Sequence, residues 1–224
     1  MATDVSVVRV FTDARGNFGN PLGIVAAGAV EERDRQRFAA ELGFSETVFV
    51  ECTASGTASA TIYTPAAELP FAGHPTVGLA WWLREQGHPV TTLTVPAAQL
   101  NIRYDGEHTW VRARADWAPQ VSFRQVHDAA EVSATDPGAY DSGHHYIWAW
   151  TDEENGALRS RMFAPVMGIA EDEATGSAAV RLTGELGRGL NIVQGAGSEL
   201  RTTIDDDGWV ELGGRTAADA SISV

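Results

Sequence analysis

Cysteine is almost absent from the sequence: the 224 residues contain one, Cys52. A single thiol cannot form an internal disulfide, and it cannot build a cysteine-based metal cluster. Stability must therefore come from packing, and a chain of this length with 44% hydrophobic residues can bury a sizeable core. A reducing compartment is compatible with this composition.

Positive charge and long hydrophobic runs are also scarce. Lys and Arg total 16 against 30 Asp and Glu, a formal net charge of -14. A nucleic acid or an anionic membrane surface would repel such a chain, so we expect neither as a partner. No run approaches the roughly 20 apolar residues of a membrane span, and the residues after Met1 enter a strand pattern without a signal peptide's basic and apolar regions. These features favour the cytoplasm.

Ligand clusters and phosphate-binding loops are missing as well. His144 and His145 lack cysteine or carboxylate partners at metal-ligand spacing. The glycine-rich stretches do not follow a strand and open a helix, as a phosphate loop would. We therefore predict that the protein uses no metal, nucleotide or flavin cofactor.

The hydrophobic pattern that is present predicts strands mixed with helices. Helical spacing covers residues 31–42, where Gly43 is a helix stop, and residues 75–85. After Asp105-Gly106 the pattern restarts, with a weak helix over 125–132 and a stronger one over 176–186. Between the helices lie β-rich segments typical of strands.

This restart indicates an internal repeat. The segment ATIYTPAAELPFAGHPTVGLAWWLRE, from Ala60, aligns with SRMFAPVMGIAEDEATGSAAVRLTGE, from Ser160, with one short insertion. We predict two similar α+β halves, 1–106 and 107–215, with a ligand-binding cleft between them. The strand 216–224 is a candidate to cross back and complete the first sheet. The matched pairs are Tyr63 and Phe163, Pro65 and Pro165, Glu68 and Glu171, Gly73 and Gly176, His74 and Ser177, and Val77 and Val180.

The repeated helix starts are candidate anion sites. Pro75 suits the first helical position and places His74 near the N-cap, where free N–H groups and the helix dipole attract a carboxylate. Thr175-Gly176-Ser177 repeats the arrangement, so both starts could grip one substrate from opposite sides. We therefore expect Gly73, Gly176 and Thr175 to bind substrate. Ordinary helix capping is the alternative.

Two carboxylates are candidates for proton transfer. Strand alternation places Glu46 on the same face as Val48, Val50 and Cys52, an apolar face that would raise the carboxyl pKa. A group of this kind suits a general base that must also return the proton. The alternatives are a Glu46 that points to solvent and an Asp172 that only complements the helix dipole.

Four segments in order resemble the PhzF-like isomerase and epimerase family: VFTDARGNFGNPLGIV from Val10, FSETVFV from Phe44, TPAAELPFAGHPTVG from Thr64, and GIAEDEATGSAA from Gly168. The resemblance implies a fold similar to diaminopimelate epimerase. In that fold, two halves each wrap a mostly antiparallel sheet round a central helix, and the active site lies in the cleft.

The resemblance also implies an activity and its residues. The family's proton-shuttling glutamate falls on Glu46, and its assisting residues fall on His74, Asp172 and Ser177. The phenazine enzyme that this chain resembles isomerises trans-2,3-dihydro-3-hydroxyanthranilate without a metal or organic cofactor. A homodimer is usual for such proteins.

Three functions remain open at this point. The first is an isomerase or epimerase that moves a proton on a small carboxylate through Glu46. The second is a catalytically silent carboxylate-binding or interaction protein on the same fold. The third is an amino-acid epimerase with a second base, Asp172 or His74, opposite Glu46. A two-thiol mechanism is excluded because Cys52 has no partner cysteine.

Overall fold

The computed structural model of the protein describes residues 2–54 and 56–224, and residues 52–54 by their backbone alone. The four α-helices of this part are α1 Glu32–Leu42, α2 Gly73–Glu85, α3 Ala129–Ala134 and α4 Gly176–Leu186. Its strands are β1 Asp4–Thr12, β2 Asn20–Ala26, β3 Glu46–Ala54, β4 Thr57–Tyr63, β5 Glu68–Leu69, β6 Thr92–Val95, β7 Ala98–Asp105, β8 His108–Arg114, β9 Ser122–Gln125, β10 His145–Asp152, β11 Ala157–Ala164, β12 Ile169–Asp172, β13 Leu190–Gln194, β14 Ser198–Ile204, β15 Trp209–Ala218 and β16 Ile222–Ser223.

The order of strand pairing occurs twice along the chain. In the first copy β2 pairs parallel with β3 across α1, β3 forms a hairpin with β4, and β4 pairs parallel with β6 across α2. In the second copy β9, β10, β11 and β13 repeat these pairings across α3 and α4. The short strands β5 and β12 attach to β4 and β11. This architecture confirms the predicted α+β class with two similar, mostly antiparallel sheets.

Strand β15 joins the two sheets. Residues 209–214 pair with β8 and residues 210–213 pair with β14, whereas residues 215–218 pair with β1. The pairing with β1 closes a ring through β1, β2, β3, β4, β6, β7, β8 and β15. The boundary predicted at residues 106 and 107 falls in the β7–β8 turn, and the division into domains stays a prediction.

The helices α2 and α4 lie inside the sheets. Every residue of α2 from Gly73 to Ala80 is buried, as expected for a helix that is apolar on all sides. Both helices contribute to one hydrophobic core, which Val77 and Val180 share. By contrast, α1 is highly charged and packs on the outside with one fully buried residue, Ala39. Gly43 ends α1 in the left-handed conformation, as predicted.

Two predicted helices begin at other residues than predicted. Helix α2 begins at Gly73, so His74 is its second residue and Pro75 its third, rather than its first as predicted. Proline is tolerated there as well, because the N–H groups of the first helical turn have no acceptor within the helix. The helix predicted over 125–132 begins only at Ala129: Gln125 ends β9, and Asp128, whose carboxylate accepts from Glu131 N, caps α3. None of the helices in the described ranges combines the length and apolar character that crossing a membrane requires.

Candidate active site

Glu46 opens strand β3 with its side chain directed towards the main core. Val48 and Val50, two and four residues further on, are buried in that core, as the predicted alternation requires. The Glu46 side chain is only 12% exposed. The predicted position of the Cys52 side chain lies outside the described residues.

The second residue of α2, His74, contacts this glutamate. His74 Nδ1 lies 3.2 Å from Glu46 Oε2, and the histidine side chain is 2% exposed. Glu46 Oε2 and His74 Nε2 are both buried without a hydrogen-bond partner among the described residues. A buried polar atom of this kind requires an explanation, and a bound ligand can provide one.

Asp172, the last residue of β12, lies close to both groups and is 6% exposed. Its Oδ1 accepts a hydrogen bond from Asn20 Nδ2 at 2.7 Å, and its Oδ2 accepts one from Thr175 Oγ1 at 2.5 Å. Gln194 Nε2 donates to Thr175 Oγ1 and to the Asp172 carbonyl oxygen, each at 2.9 Å. The aspartate therefore belongs to a hydrogen-bonded cluster of four residues drawn from three separate segments.

Burial dominates the proton affinities of the three groups. It raises the pKa of Glu46 to about 7, against a smaller lowering by a hydrogen bond from Ser45. Burial and the charge of Glu46 raise the pKa of Asp172 to about 7, whereas His74, Thr175 and Asn20 act to lower it. Burial lowers the pKa of His74 to about 4, although the charge of Asp172 opposes this. Near neutral pH the imidazole is uncharged and the two carboxyls titrate as a coupled pair.

The two helix starts meet at a pair of glycines. A Cβ on Gly73 would lie 2.7 Å from the Gly176 carbonyl carbon, and one on Gly176 would lie 2.8 Å from His74 N. A Cβ on either glycine would also lie 2.6 Å from Leu212 Cδ2. Only residues without a side chain fit this contact, which brings both positive helix ends to one place. Ser177 is the second residue of α4, as His74 is of α2.

A cavity of about 340 Å³ borders Asp172 and the residue before Glu46, Ser45. The volume suits a small molecule rather than a polymer. Segments from both copies of the repeat form its walls, which include Asn20, Pro21, Phe44, Pro65, Ile169 and Glu171. Among the residues described, no group of three or more His, Cys, Asp or Glu side chains is arranged to hold a metal ion.

The structure thus brings together Glu46, His74 and Asp172, and brings Gly73 into contact with Gly176. The Thr175 hydroxyl contacts Asp172 and Gln194, whereas no hydrogen bond of the Ser177 side chain is found within the described ranges. Sequence reasoning missed Asn20 and Gln194. Asn20 begins β2 within the Gly-Asn-Pro stretch, and Gln194 ends β13. Neither local pattern reveals a contact with Asp172, although the family resemblance covers the Gly-Asn-Pro stretch.

Comparison with known proteins identifies the family. The family model described as Phenazine biosynthesis-like protein, PhzC-PhzF, matches residues 8–136 and 125–206. The trans-2,3-dihydro-3-hydroxyanthranilate isomerase of Pseudomonas chlororaphis is 31% identical over 208 residues, which cover 76% of this chain and 75% of that protein. The chain belongs to the PhzF family. The predicted family and the predicted isomerase class are both confirmed.

Other comparisons extend the likeness to nearly the whole chain. A protein of Pasteurella multocida described as an uncharacterised isomerase is 27% identical over 250 residues, covering 89% of this chain and 86% of its own. The crystal structure of a PhzF-family protein of Bacillus anthracis matches with a TM-score of 0.82 at 20% identity, covering 100% and 99% of the two chains. A hydroxyproline epimerase of Agrobacterium vitis shares the fold with a TM-score of 0.64 at 11% identity, covering 100% and 92%.

Proposed function

We propose that this PhzF-family isomerase moves a proton on a small carboxylate substrate, with Glu46 as the general acid and base. The observation that supports this role is the buried contact between Glu46 and His74, 3.2 Å apart, beside the meeting point of two helix starts. A carboxyl with a pKa raised to about 7 can both accept and return a proton near neutrality.

The proposed reaction has two proton steps on one carboxyl group. Ionised Glu46 removes a proton from a substrate carbon, and the electron pair of the broken C–H bond moves into the adjacent unsaturated system. Protonated Glu46 then delivers the proton to a second carbon, or to the opposite face of the first in an epimerisation. His74, which is uncharged near neutral pH, and the Asp172 carboxyl group flank Glu46 throughout.

The substrate carboxylate is proposed to bind at the helix starts. The first N–H groups of a helix have no partner within it, and the helix dipole adds positive potential there. Gly73 and Gly176 bring two such ends into contact. Thr175 and Ser177 border the second end, so a carboxylate held here would lie next to Glu46.

The reaction is proposed to need no cofactor. All 16 basic residues of the chain are arginine, and it contains no lysine to form the Schiff base through which pyridoxal phosphate binds. The proposed carbon acid chemistry needs a base and an anion-binding site, and residues of the chain provide both.

The Glu46→Gln substitution tests the function. It keeps the side-chain volume and removes the base, so we expect proton exchange to fall by roughly a hundredfold or more. The probe is trans-2,3-dihydro-3-hydroxyanthranilate in D₂O, with deuterium located by NMR before and after dialysis against EDTA. Glu51→Gln is the matched control, because Glu51 is exposed on the same strand.

The outcomes separate the functions still open. Full exchange by the Glu46→Gln variant would contradict the proposed role of Glu46. Binding of the probe by the wild-type protein without any exchange would indicate a carboxylate-binding protein. Deuterium at a single carbon with inversion would indicate an epimerase, and deuterium at a new carbon an isomerase.

A further inference from the structure

Both carboxylate oxygens of Asp172 accept hydrogen bonds from neutral donors. Asn20 Nδ2 donates to Oδ1 at 2.7 Å and Thr175 Oγ1 donates to Oδ2 at 2.5 Å. Asn20 precedes Asp172 by 152 residues in the sequence, and Thr175 follows it by 3. Donation to both oxygens favours the ionised carboxylate. A protonated oxygen would itself be a hydrogen-bond donor and would face a donor rather than an acceptor.

Gln194 determines the direction of the Thr175 hydrogen bond. Its Nε2 lies 2.9 Å from the Asp172 carbonyl oxygen, which can only accept, so the amide nitrogen must face that oxygen. The same nitrogen donates to Thr175 Oγ1 at 2.9 Å. A threonine oxygen that already accepts from Gln194 directs its own proton towards Asp172.

The orientation of the Asn20 amide is determined in the same way. Its nitrogen donates to Asp172 and also to the Ala174 carbonyl oxygen at 3.1 Å, another atom that only accepts. Its oxygen accepts from Ser45 Oγ at 3.0 Å. Asn20 is 3% exposed, so water has little access to replace these contacts.

Glu46 has a different environment. Its Oε2 receives no hydrogen bond from the residues described, although it is buried. Burial raises the pKa of both carboxyls to about 7 and the repulsion between them is mutual, so the hydrogen bonds that each receives are what distinguish them. Asp172 has a donor on each oxygen, whereas Glu46 has a hydrogen bond from Ser45 and none on Oε2.

We propose that Asn20, Thr175 and Gln194 are positioning residues that keep Asp172 ionised, so that Glu46 is the member of the pair that binds the first proton. This inference rests on the proposed function, in which Glu46 carries the proton. The fixed negative charge of Asp172 beside Glu46 then strengthens Glu46 as a base. Asp172 acts electrostatically and does not exchange protons with the substrate.

The other charged or titratable groups around Asp172 leave this assignment intact. His74 on α2 is uncharged above about pH 4. Tyr146 on β10 donates to Ser160 Oγ at 2.8 Å, and burial raises the pKa of its hydroxyl further. The neighbouring carboxylates have their own partners: Glu171 pairs with Arg161, and Glu173 accepts from Ala196 N and Ser198 Oγ.

A carboxyl titration followed by ¹³C NMR tests the proposal without any substrate. The full-length protein is labelled at aspartate and glutamate carboxyl carbons, and the two signals are assigned with Asp172→Asn and Glu46→Gln. As the pH falls in the wild-type protein, we expect the Glu46 signal to titrate before that of Asp172. In Thr175→Val, which keeps the volume and removes the donor, the Asp172 midpoint should rise by about one pH unit or more.

Two further variants separate positioning from folding. Thr175→Ser retains the hydroxyl and should restore the wild-type order. Thr183→Val removes another buried threonine hydroxyl, on helix α4, which contacts Thr202 at 2.6 Å, and should leave both midpoints unchanged. Asn20→Ala provides a second test should Thr175→Val fail to fold.

A wild-type protein in which Asp172 binds the first proton would overturn the proposal. So would a Thr175→Val or Asn20→Ala variant that folds and keeps the wild-type Asp172 midpoint. These results concern the order of protonation only, so they are distinct from a failure of Glu46→Gln to lower proton exchange, which would contradict the proposed function instead.

Discussion

At the scale of single residues, the site depends on charged groups held in a setting that disfavours charge. Glu46 and Asp172 are 12% and 6% exposed, and burial is the largest cause of the raised pKa of each. Keeping a carboxyl buried costs stability whenever it must ionise. These two destabilising carboxyl groups lie at the site where a proton is proposed to move.

The cost should be measurable for Glu46. Its pKa in the folded protein, about 7, lies above the ordinary value of 4.5, so the folded state binds this proton more tightly than the unfolded chain. Stability from this group is full below pH 4.5 and is lost as the pH rises through 7. We therefore expect Glu46→Gln to raise the free energy of unfolding by on the order of 2 kcal/mol at alkaline pH, and little at acid pH.

Urea unfolding at about pH 8 and pH 4 measures this difference. The pKa of His74 is lowered from 6.5 to about 4, so the stability that this residue contributes is lost as the pH falls from 6.5 to 4. His74 is present in both proteins, and its contribution therefore cancels in the comparison. The exposed Glu51→Gln control should change neither value. Equal stability of Glu46→Gln and wild type at pH 8 would show that ionised Glu46 is not destabilising.

Single residues also show where sequence reasoning stops. Alternation placed Glu46 on the face of Val48 and Val50, and the structure buries both valines. Asn20 and Gln194 could not be assigned in this way, because their contacts with Asp172 depend on how distant segments pack. Local periodicity carries no information about a contact across 152 residues.

At the scale of elements, the contact between α2 and α4 leaves no room for side chains. The Gly73 Cβ position lies 2.7 Å and 2.8 Å from backbone atoms of Gly176, and backbone atoms cannot move aside as the end of a flexible side chain can. We expect Gly73→Ala to lower the free energy of unfolding by about 2 kcal/mol through overpacking. Because the helix starts would separate, proton exchange should fall as well.

Chemical denaturation and the D₂O assay check this prediction. Gly28→Ala is the matched control: Gly28 has no heavy atom within 4 Å of its Cβ position and should tolerate the change. A Gly73→Ala protein as stable and active as wild type would mean that the helix starts are not held in contact.

The elements differ in how well their sequences predicted them. Helix α4 was predicted with its observed bounds, because glycines mark both its start and its C-cap, Gly187. The helix predicted over 125–132 is right only for its second half, because Gln125 ends strand β9 and α3 begins at Ala129, after the cap Asp128. Such short elements derive their stability from neighbouring strands rather than from local propensity.

At the scale of the whole molecule, the two sheets form one structure. They share strand β15, and the main hydrophobic core contains residues of both central helices, among them Leu79 and Leu182. We therefore expect a single cooperative unfolding transition, in which neither half unfolds alone. The expected homodimer and the location in the cytoplasm stay predictions.

Tryptophan fluorescence and far-UV circular dichroism test cooperativity, because their urea transitions should overlay. Leu212→Ala should shift both transitions together, since this side chain contacts the starts of α2 and α4, and a large-to-small core change costs about 2–5 kcal/mol. Two separated transitions would instead reveal halves that unfold independently.

The double pairing of β15 also bears on the order in which the chain folds during synthesis. Strand β1, residues 4–12, needs residues 215–218 as its partner, so the chain must leave the ribosome as far as residue 218 before the first sheet can close. Until then the edges of β1 and β8 expose unpaired backbone groups to solvent, where strands of other nascent chains can pair with them. A slow step dominated by this distant pairing is expected for such a topology. Translation speed and chaperone binding should therefore affect the yield of folded protein, even though neither changes the stability of the native state.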